Sequence, residues 1–166
     1  AYKFTYSDTY KHRMLSATSE SSGVKNSFTY DGSGNLTKTR VDKSGYAKYI
    51  EQSSTYTSNG NYLATSTAAN GYSTTYNYNT YKGTLTSVTD ANSKTTSYTY
   101  DGNTDRMKTV TSGGSTVEYT YAKNGQLTSI KSPGDSPTYN FVYDKWGNNT
   151  EVKVGSQTLV TNTYKS

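Results

Sequence analysis

The chain of 166 residues is 30% apolar, 14% aromatic and 17% charged, with 19 tyrosines, no cysteine and a net charge of +5. Ordinary globular domains are about 45–50% apolar, so this composition excludes a thick aliphatic core, and the lack of cysteine excludes disulfide-stapled domains and thiolate metal sites. Disordered segments combine few aromatics with high net charge, and we therefore predict an ordered, β-rich protein whose hydrophobic mass is tyrosine.

A tyrosine recurs along the chain, and successive positions differ by 21 to 26 residues on subtraction. These positions are Tyr6, Tyr30, Tyr56, Tyr78, Tyr100, Tyr121, Tyr143 and Tyr164. Six of them follow an aromatic residue by two positions, at Phe4, Phe28, Tyr76, Tyr98, Tyr119 and Phe141. Ser54 and Asn162 stand there before Tyr56 and Tyr164. Side chains at i and i+2 of a strand share one face, so each aromatic pair is predicted to line one surface.

Turn signals divide each repeat into two strands. The first turns are at Asp31-Gly32, Asn59-Gly60, Lys82-Gly83, Asp101-Gly102, Asn124-Gly125 and Trp146-Gly147. The second turns are at Ser44-Gly45, Asn70-Gly71, Gly113-Gly114, Pro133-Gly134 and Gly155. Asp-Gly and Asn-Gly supply the positive φ angles of tight hairpins. The sequence therefore predicts an all-β array of about seven antiparallel hairpins in one curled or spiralling sheet.

We expect residues 1–166 to form a single array. Its predicted repeats are 1–23, 24–45, 46–71, 72–94, 95–115, 116–137, 138–157 and a partial repeat 158–166. Equivalent positions of neighbouring hairpins stack along a sheet, so the first seven recurring tyrosines, called here the ladder tyrosines, and the six aromatics that precede them are expected to form an aromatic ladder. Apolar residues are expected beneath it, at Leu36, Leu63, Leu85, Met107 and Leu127, with Leu15 in the first repeat.

The second strands carry apolar residues three positions apart, such as Met107 and Val110. Such residues face opposite sides of a regular strand, and a β-bulge returns them to one side. We therefore predict a bulge in the second strand of each repeat.

Few residues have the pattern of a catalytic or metal site. His12 is the only histidine and lies between two cations, and no Gly-x-Ser-x-Gly motif is present. Acids such as Asp31 lie in turns, where they bind their own backbone. The stretch from Asp31 to Asp42 imitates a calcium loop but has Leu36 at the required glycine. We predict no catalytic residue, no cofactor and no metal, with calcium at Asp31 as a weaker alternative.

The composition also limits the partners. The 17 basic residues are scattered singly, which argues against nucleic acid. No apolar run approaches the roughly 20 residues that span a bilayer, and we interpret the chain, which begins with Ala, as a piece of a longer protein. Trp146 in DKWGNN is a candidate contact surface, so carbohydrate or cell-surface binding is one alternative function. Self-association through open strand edges into fibres is another.

The stretches YDGSGNLTKTRVDKSG, from Tyr30, and TYDGNTDRMKTVTSGG, ending at Gly114, resemble the tyrosine-aspartate (YD) repeats of the RHS family. Thr57, Asn79 and Ala122 replace the family's aspartate in three repeats. The family includes bacterial polymorphic toxins, wall-associated proteins, toxin-complex shells and teneurins. The resemblance implies a non-catalytic, secreted or cell-surface protein, from a Gram-positive source on composition, whose β-shell encloses or displays a C-terminal toxin or effector domain.

Overall fold

A computed structural model describes residues 1–134 and 137–165. Its fifteen strands are β1 (Tyr2–Tyr6), β2 (Met14–Ser19), β3 (Val24–Tyr30), β4 (Leu36–Lys43), β5 (Ile50–Tyr56), β6 (Leu63–Thr67), β7 (Ser73–Asn79), β8 (Thr84–Thr89), β9 (Thr95–Tyr100), β10 (Met107–Ser112), β11 (Ser115–Tyr121), β12 (Leu127–Lys131), β13 (Thr138–Tyr143), β14 (Asn149–Val154) and β15 (Gln157–Thr161). The end of the predicted repeat 116–137 includes residues 135 and 136, which lie outside the described residues. The described part contains no helix.

Each strand neighbours the next one along the chain in a single sheet. Every strand pair with a defined register is antiparallel, for example β3 with β4 and β9 with β10. The all-β array of hairpins is therefore confirmed. The chain divides into two compact units, an N-terminal unit of residues 1–83 and 88–93 and a C-terminal unit of residues 84–87 and 94–166.

In the N-terminal unit, alternation along the strands creates two chemically different faces. Phe28 and Tyr30 of β3 share one face, and Thr29 between them faces Lys38 of β4 on the other. We call these the aromatic face and the hydroxyl face. The aromatic face carries the partner aromatics, and threonine, serine and charged residues fill the hydroxyl face.

The C-terminal unit repeats the same division. Tyr98 of β9 pairs with Val110 of β10 on its aromatic face, whereas Thr99 pairs with Thr109 on its hydroxyl face. Period-two patterning therefore assigns side chains to faces in both units.

A bulge follows each ladder tyrosine where the register is defined. Met107 faces Tyr100 and Thr109 faces Thr99, which leaves Lys108 as the extra residue of β10. The bulge brings Met107 and Val110 to the aromatic face, as predicted. The extra residues at this position are Leu15, Thr37, Ala64, Lys108, Thr128 and Thr150.

Two details of the apolar positions differ from the prediction. Tyr6 faces Met14, and Leu15 is the extra residue of the bulge, because the first repeat has a longer turn than the others. Met107 lies directly opposite Tyr100 on the same face, so the apolar residues pack beside the tyrosines and not beneath them.

In four of the six first turns the predicted glycine has the positive φ, at Gly60, Gly83, Gly125 and Gly147, whereas the two Asp-Gly turns place it elsewhere. In the turn after β3 the positive φ of 93° belongs to Gly34, not Gly32, and the amide of Gly34 donates to the carbonyl of Asp31. In the turn after β9 the residue with positive φ is Asp105, with φ of 52°. These turns are one or two residues longer than a two-residue hairpin, so the left-handed position moves toward the second strand.

The sheet is thin in both units. Among the described residues no apolar side chain is fully buried, and only Ser16 and Ser19 fall in the buried class. Most ladder residues are half-buried, with Phe4 and Tyr6 more open. None of the described segments is a helix long and apolar enough to cross a membrane.

Candidate functional site: the links between repeats

Five of the eight recurring tyrosines connect their repeat to the one before it through their hydroxyl groups. Each donates a hydrogen bond to a carbonyl oxygen at the start of the preceding repeat's second strand, which is the first residue of that strand in four cases and the second, Leu85, in β8. These bonds are Tyr30 to Met14 (3.1 Å), Tyr56 to Leu36 (3.1 Å), Tyr100 to Leu85 (2.8 Å), Tyr143 to Leu127 (2.9 Å) and Tyr164 to Asn149 (3.0 Å). Four of the acceptors, Met14, Leu36, Leu127 and Asn149, lie at a bulged end of their strand, where the ladder pattern is interrupted. Tyrosine therefore satisfies a carbonyl that regular pairing leaves open.

The rings of successive ladder tyrosines do not stack on one another in the described part of the chain. Equivalent positions of adjacent repeats lie two strands apart, about 9.6 Å, which exceeds the 4.5–7 Å of an aromatic contact. The phenols that form hydrogen bonds instead reach the backbone of the adjacent strand, which is the second strand of the preceding repeat. The interaction between repeats is therefore ring to backbone, and not the ring-on-ring stacking expected from equivalent positions. Burial raises the pKa of the Tyr100 phenol, with a smaller contribution from Tyr98.

A second set of contacts joins the first turns of adjacent repeats. We call its members the bridging residues, and each immediately precedes the first residue of a second strand. They contact the turn glycine of the next repeat. The pairs are Arg13 with Gly34, Asn35 with Gly60, Tyr62 with Gly83, Arg106 with Gly125 and Gln126 with Gly147.

These contacts give the turn glycines a second requirement besides positive φ. A Cβ atom on Gly83 would lie 2.7 Å from the Tyr62 hydroxyl oxygen. A Cβ atom on Gly60 would lie 2.9 Å from the Cβ of Ser33, and the Gly60 carbonyl accepts a 2.7 Å hydrogen bond from Asn35 Nδ2. A side chain at these positions would displace the preceding repeat, so the glycines permit adjacent turns to pack closely.

Three bridging residues also cover a ladder tyrosine of the next repeat. The ring centroids of Tyr62 and Tyr78 lie 5.0 Å apart in a stacked arrangement. The guanidinium carbon of Arg106 lies 5.9 Å from the Tyr121 ring centroid. That of Arg13 lies 5.8 Å from Tyr30. Cation–π contacts at exposed sites contribute about 0.5–1 kcal/mol, so these residues add to the links between repeats.

Turn aspartates bind their own backbone, as predicted. The amide and side chain of Asn35 donate to the Asp31 carboxylate at 2.8 and 3.1 Å. The pKa of Asp31 is lowered, chiefly by the backbone amide of Asn35. The pKa of Asp144 is lowered, chiefly by the side-chain amide of Asn148, and that of Asp101 by the Thr104 hydroxyl. These carboxylates stabilise the turns in their charged form.

On the hydroxyl face, side chains pair across neighbouring strands. The hydroxyl pairs are Thr5–Ser16, Thr55–Thr65, Thr67–Ser73, Thr99–Thr109 and Thr111–Thr116, at 2.6 to 2.8 Å. Lys38 and Glu51 form an ion pair at 3.0 Å. Cross-strand pairs of this kind each contribute tenths of a kcal/mol to stability.

Of the remaining sequence candidates, Trp146 and His12 lie at turns and Asp42 lies in β4. Trp146 is 78% exposed, and the ammonium of Lys145 lies 5.0 Å from its ring. His12 is exposed beside Tyr10. Asp42, the acid at the end of the calcium-like stretch, binds Arg40 at 2.7 Å, and the Arg40 side chain lowers its pKa. Across the described ranges, no three potential ligands among His, Cys, Asp and Glu converge on one point.

The bridging residues were not identified from the sequence. Their types vary among Arg, Asn, Tyr and Gln, so no single motif marks them. The signal that was present is positional: each stands directly before the apolar residue that opens a second strand. An alignment of the repeats on that apolar residue would have placed them in one column.

Comparisons with known proteins agree with this architecture. Residues 81–117 match the RHS repeat family model. Among curated proteins, none matches this sequence. A chain in the structure of the Photorhabdus luminescens Tc holotoxin pore, with the TccC3 D651A mutation, aligns with a TM-score of 0.67 at 18% identity. The alignment covers 95% of this chain and 9% of that chain.

A further match is to the TcdB2-TccC3-Cdc42 crystal structure, at 12% identity and a TM-score of 0.49. It covers 91% of this chain and 10% of that chain. The present chain thus spans about a tenth of the length of these larger proteins, and the holotoxin match establishes its fold.

Proposed function

We propose that this chain, of which residues 81–117 match the RHS repeat family model, is a non-catalytic wall segment of an exported RHS/YD-repeat protein. The wall encloses or displays a C-terminal toxin or effector domain elsewhere in the same polypeptide. The ladder tyrosines and their partner aromatics hold this wall together. The localisation is outside the cell or at the cell surface, and a Gram-positive wall is one such setting.

The proposal is supported by the directions in which the tyrosine hydroxyls and the turn aspartates form their hydrogen bonds. The tyrosine hydroxyls bind backbone carbonyls of neighbouring repeats, such as Tyr100 to Leu85 at 2.8 Å. The turn aspartates bind their own turns, such as Asp31 to Asn35. An active site needs convergent titratable groups directed at a substrate. Here those groups are directed at the chain itself, which supports a structural role.

Protease protection of the full polypeptide tests the wall role. We expect the domain downstream of these repeats to resist protease in the native protein. Tyr100→Ala combined with Tyr143→Ala should expose it, because both substitutions remove links between repeats. Tyr81→Ala, at a side chain that is 96% exposed, is the matched control and should leave protection unchanged. A downstream domain that is cleaved equally fast in the native protein and in all variants contradicts the proposal.

Surface recognition through Trp146 is the second candidate function, favoured by the ring's 78% exposure. Exposed aromatics mark contact surfaces. Binding of the chain to purified cell-wall glycan, lost in Trp146→Ala and kept in Tyr81→Ala, would support it. Retention of binding in Trp146→Ala would exclude this residue as the contact.

Self-association is a third candidate. Strands β1 and β15 each have one neighbour in the sheet, so each presents an unpaired edge. Light scattering that rises with concentration would support head-to-tail growth. A constant monomer mass at high concentration would contradict it.

A further inference from the structure

Three turns of the sheet contain asparagine followed by glycine, the pair that most readily loses its side-chain amide. In this reaction the backbone nitrogen of the second residue attacks the asparagine Cγ, and glycine has no side chain to hinder that approach. The pairs are Asn59-Gly60, Asn70-Gly71 and Asn124-Gly125. The same chemistry is therefore available at three places whose surroundings differ.

The turn itself restrains the reacting groups in all three pairs. Each glycine nitrogen donates a hydrogen bond to the carbonyl oxygen three residues earlier, at 2.7 Å for Gly60 and 2.9 Å for Gly71 and Gly125. Each asparagine Oδ1 accepts a hydrogen bond from the amide two residues later, at 3.1 to 3.2 Å. The attacking nitrogen is thus engaged in the closed turn, and the reaction requires local opening of the turn.

Asn59 and Asn124 have further restraints. The Thr57 hydroxyl donates to Asn59 Oδ1 at 2.7 Å, and the carbonyl of the following glycine accepts a 2.7 Å hydrogen bond from Asn35 Nδ2. Asn124 Nδ2, the atom that would leave, donates to Gln126 Oε1 at 2.6 Å. These bonds must also break before either asparagine can react.

The pair Asn70-Gly71 lacks these additional contacts. Within the described residues, the Asn70 side chain makes one hydrogen bond, which it accepts from the Tyr72 amide at 3.2 Å. A Cβ atom on Gly71 would meet nothing within 4 Å apart from its chain neighbours, whereas one on Gly60 or Gly125 would meet side chains of the preceding repeat. Asn70 and Gly71 are both exposed. This turn is therefore restrained only by its own backbone.

The strands that flank this turn also lack apolar packing on the aromatic face. Ser66 of β6 lies between Ser54 of β5 and Thr74 of β7. The equivalent residue of β10, Val110, has an aromatic and an apolar neighbour. Local opening costs less where fewer apolar contacts are lost. The turn between β6 and β7 should therefore open more often than the turns after β5 and β11, which contact the preceding repeat.

We propose that Asn70 is a site of spontaneous deamidation in the folded chain. Gly71 N loses its proton to a base in the solvent and forms a bond to Asn70 Cγ, and Nδ2 leaves with a proton as ammonia. Water then opens the succinimide ring. Cleavage of the bond from nitrogen to Cγ gives aspartate, and cleavage of the bond from nitrogen to the main-chain carbonyl carbon gives isoaspartate. No atom is oxidised or reduced.

The reaction changes both the charge and the backbone of this turn. Either product replaces a neutral amide with a carboxylate and lowers the net charge of +5 by one unit. Isoaspartate also adds a carbon atom to the main chain, which disrupts the 2.9 Å hydrogen bond from Gly71 to Ala68. Because only water and base are needed, the connection between β6 and β7 weakens with the age of the protein. This inference does not depend on the wall role.

Peptide mapping by mass spectrometry tests the site on the native chain, incubated in mildly alkaline buffer. Each deamidation adds about 1 Da, and the pairs at Asn59 and Asn124 are matched controls within the same molecule. A parallel incubation in concentrated urea gives the rate of each pair without folded structure. In the folded chain, relative to these urea rates, we expect Asn70 to react about tenfold faster than either control.

Two variants complete the test. Thr57→Val removes the hydroxyl that binds Asn59 Oδ1 and should raise the rate at Asn59 severalfold while leaving that at Asn70 unchanged. Exchange of β6 and β7 amides should accelerate with incubation in the native chain and not in Asn70→Gln, whose longer side chain cyclises far more slowly.

The proposal is overturned if the folded chain forms no product at Asn70 during a period in which the chain in urea does. Equal relative rates at the three pairs overturn it too, as does a faster reaction at Asn59 or Asn124. An unchanged rate at Asn59 in Thr57→Val would contradict the restraint on which the predicted order rests.

Discussion

The segments β9–β12 and β4–β6 have the same hairpin geometry but opposite chemistry on the aromatic face. In β9–β12, Tyr98 and Tyr119 fill the positions beside the ladder tyrosines and face Val110 and Ile130. In β4–β6, Ser54 faces Ser66. Both segments keep the bulge, and both keep the tyrosine bond to the preceding repeat, from Tyr100 and from Tyr56.

This difference separates what defines the fold from what stabilises it. The bulge, the turn glycine and the ladder tyrosine suffice to form a hairpin, since β5 and β6 form one without the partner aromatic. The partner aromatic adds buried apolar area, at about 25 cal/mol per Å². We therefore expect the two segments to share a structure and to differ in stability.

Removal of a ladder ring should have the largest effect. We expect Tyr100→Ala to lower the free energy of unfolding by about 2–3 kcal/mol, below the 3–5 of a fully buried ring because Tyr100 is half-buried. Tyr56→Ala should cost about 1 kcal/mol less, because Ser54 and its partner Ser66 stand beside Tyr56 where other repeats have an aromatic and an apolar residue. Denaturant titration measures both. Equal losses would show that the partner aromatics contribute nothing.

The close packing of turns predicts that alanine will be tolerated differently at two glycines of similar φ. Gly60 and Gly71 have φ of 72° and 85°, but only Gly60 has a close neighbour, Ser33. Alanine at either position carries a backbone cost of about 1–2 kcal/mol. We expect Gly60→Ala to cost about 1 kcal/mol more than Gly71→Ala, from overpacking.

Ser33→Gly should remove that excess in the double variant, which denaturant titration of the four chains would show. Identical costs for the two alanine variants would mean that the turn contact has no energetic role.

The contribution of the tyrosine hydroxyl group to stability can be measured separately from that of the ring. Tyr100→Phe removes the hydroxyl that donates to Leu85 and should cost about 1 kcal/mol, the usual net worth of a hydrogen bond. Tyr121→Phe is the control, because Arg106 covers that ring and no hydroxyl bond of Tyr121 is present in the described residues. It should cost a few tenths of a kcal/mol. A reversed order would contradict the proposed link to the backbone.

Acid should have the smallest effect on stability of the changes considered, because it weakens only the turns. Asp31, Asp101 and Asp144 have lowered pKa values in the folded chain, so their contribution is full above about pH 4, the unfolded value. This stabilisation is lost as the pH falls below about 4 and passes the pKa that each carboxylate has in the folded chain. Asp31→Asn should flatten this acid dependence in a pH series of unfolding curves. An unchanged pH profile would assign the acid sensitivity to other carboxylates.

Most of the fold could be predicted from the sequence, because the sequence features that determine it are local. Alternation at Tyr98 and Tyr100, the turn chemistry and the bulge before Val110 all depend on a few neighbouring residues. The prediction of the left-handed residue was wrong only in the two Asp-Gly turns; in the first of them Gly32 and Gly34 both suit a turn, and the longer loop selects Gly34.

The contacts between repeats could not be predicted from local sequence signals. The bond from Tyr100 to Leu85 and the contact of Tyr62 with Gly83 depend on the stacking of hairpins. Residues about 15 to 25 positions apart meet only once the sheet has formed. The absence of the partner aromatic at Ser54 was visible as an exception in the repeat, but nothing local reveals that the opposing residue, Ser66, is also a serine.

Amide hydrogen exchange on the whole chain tests the central claim most directly. The claim is that tyrosine rings and their apolar cross-strand partners are the main source of stability in this sheet. It predicts slower exchange in β9–β12 than in β4–β6, since local opening is easier where fewer apolar contacts are lost. Equal protection of the two segments, or slower exchange in β4–β6, would contradict it.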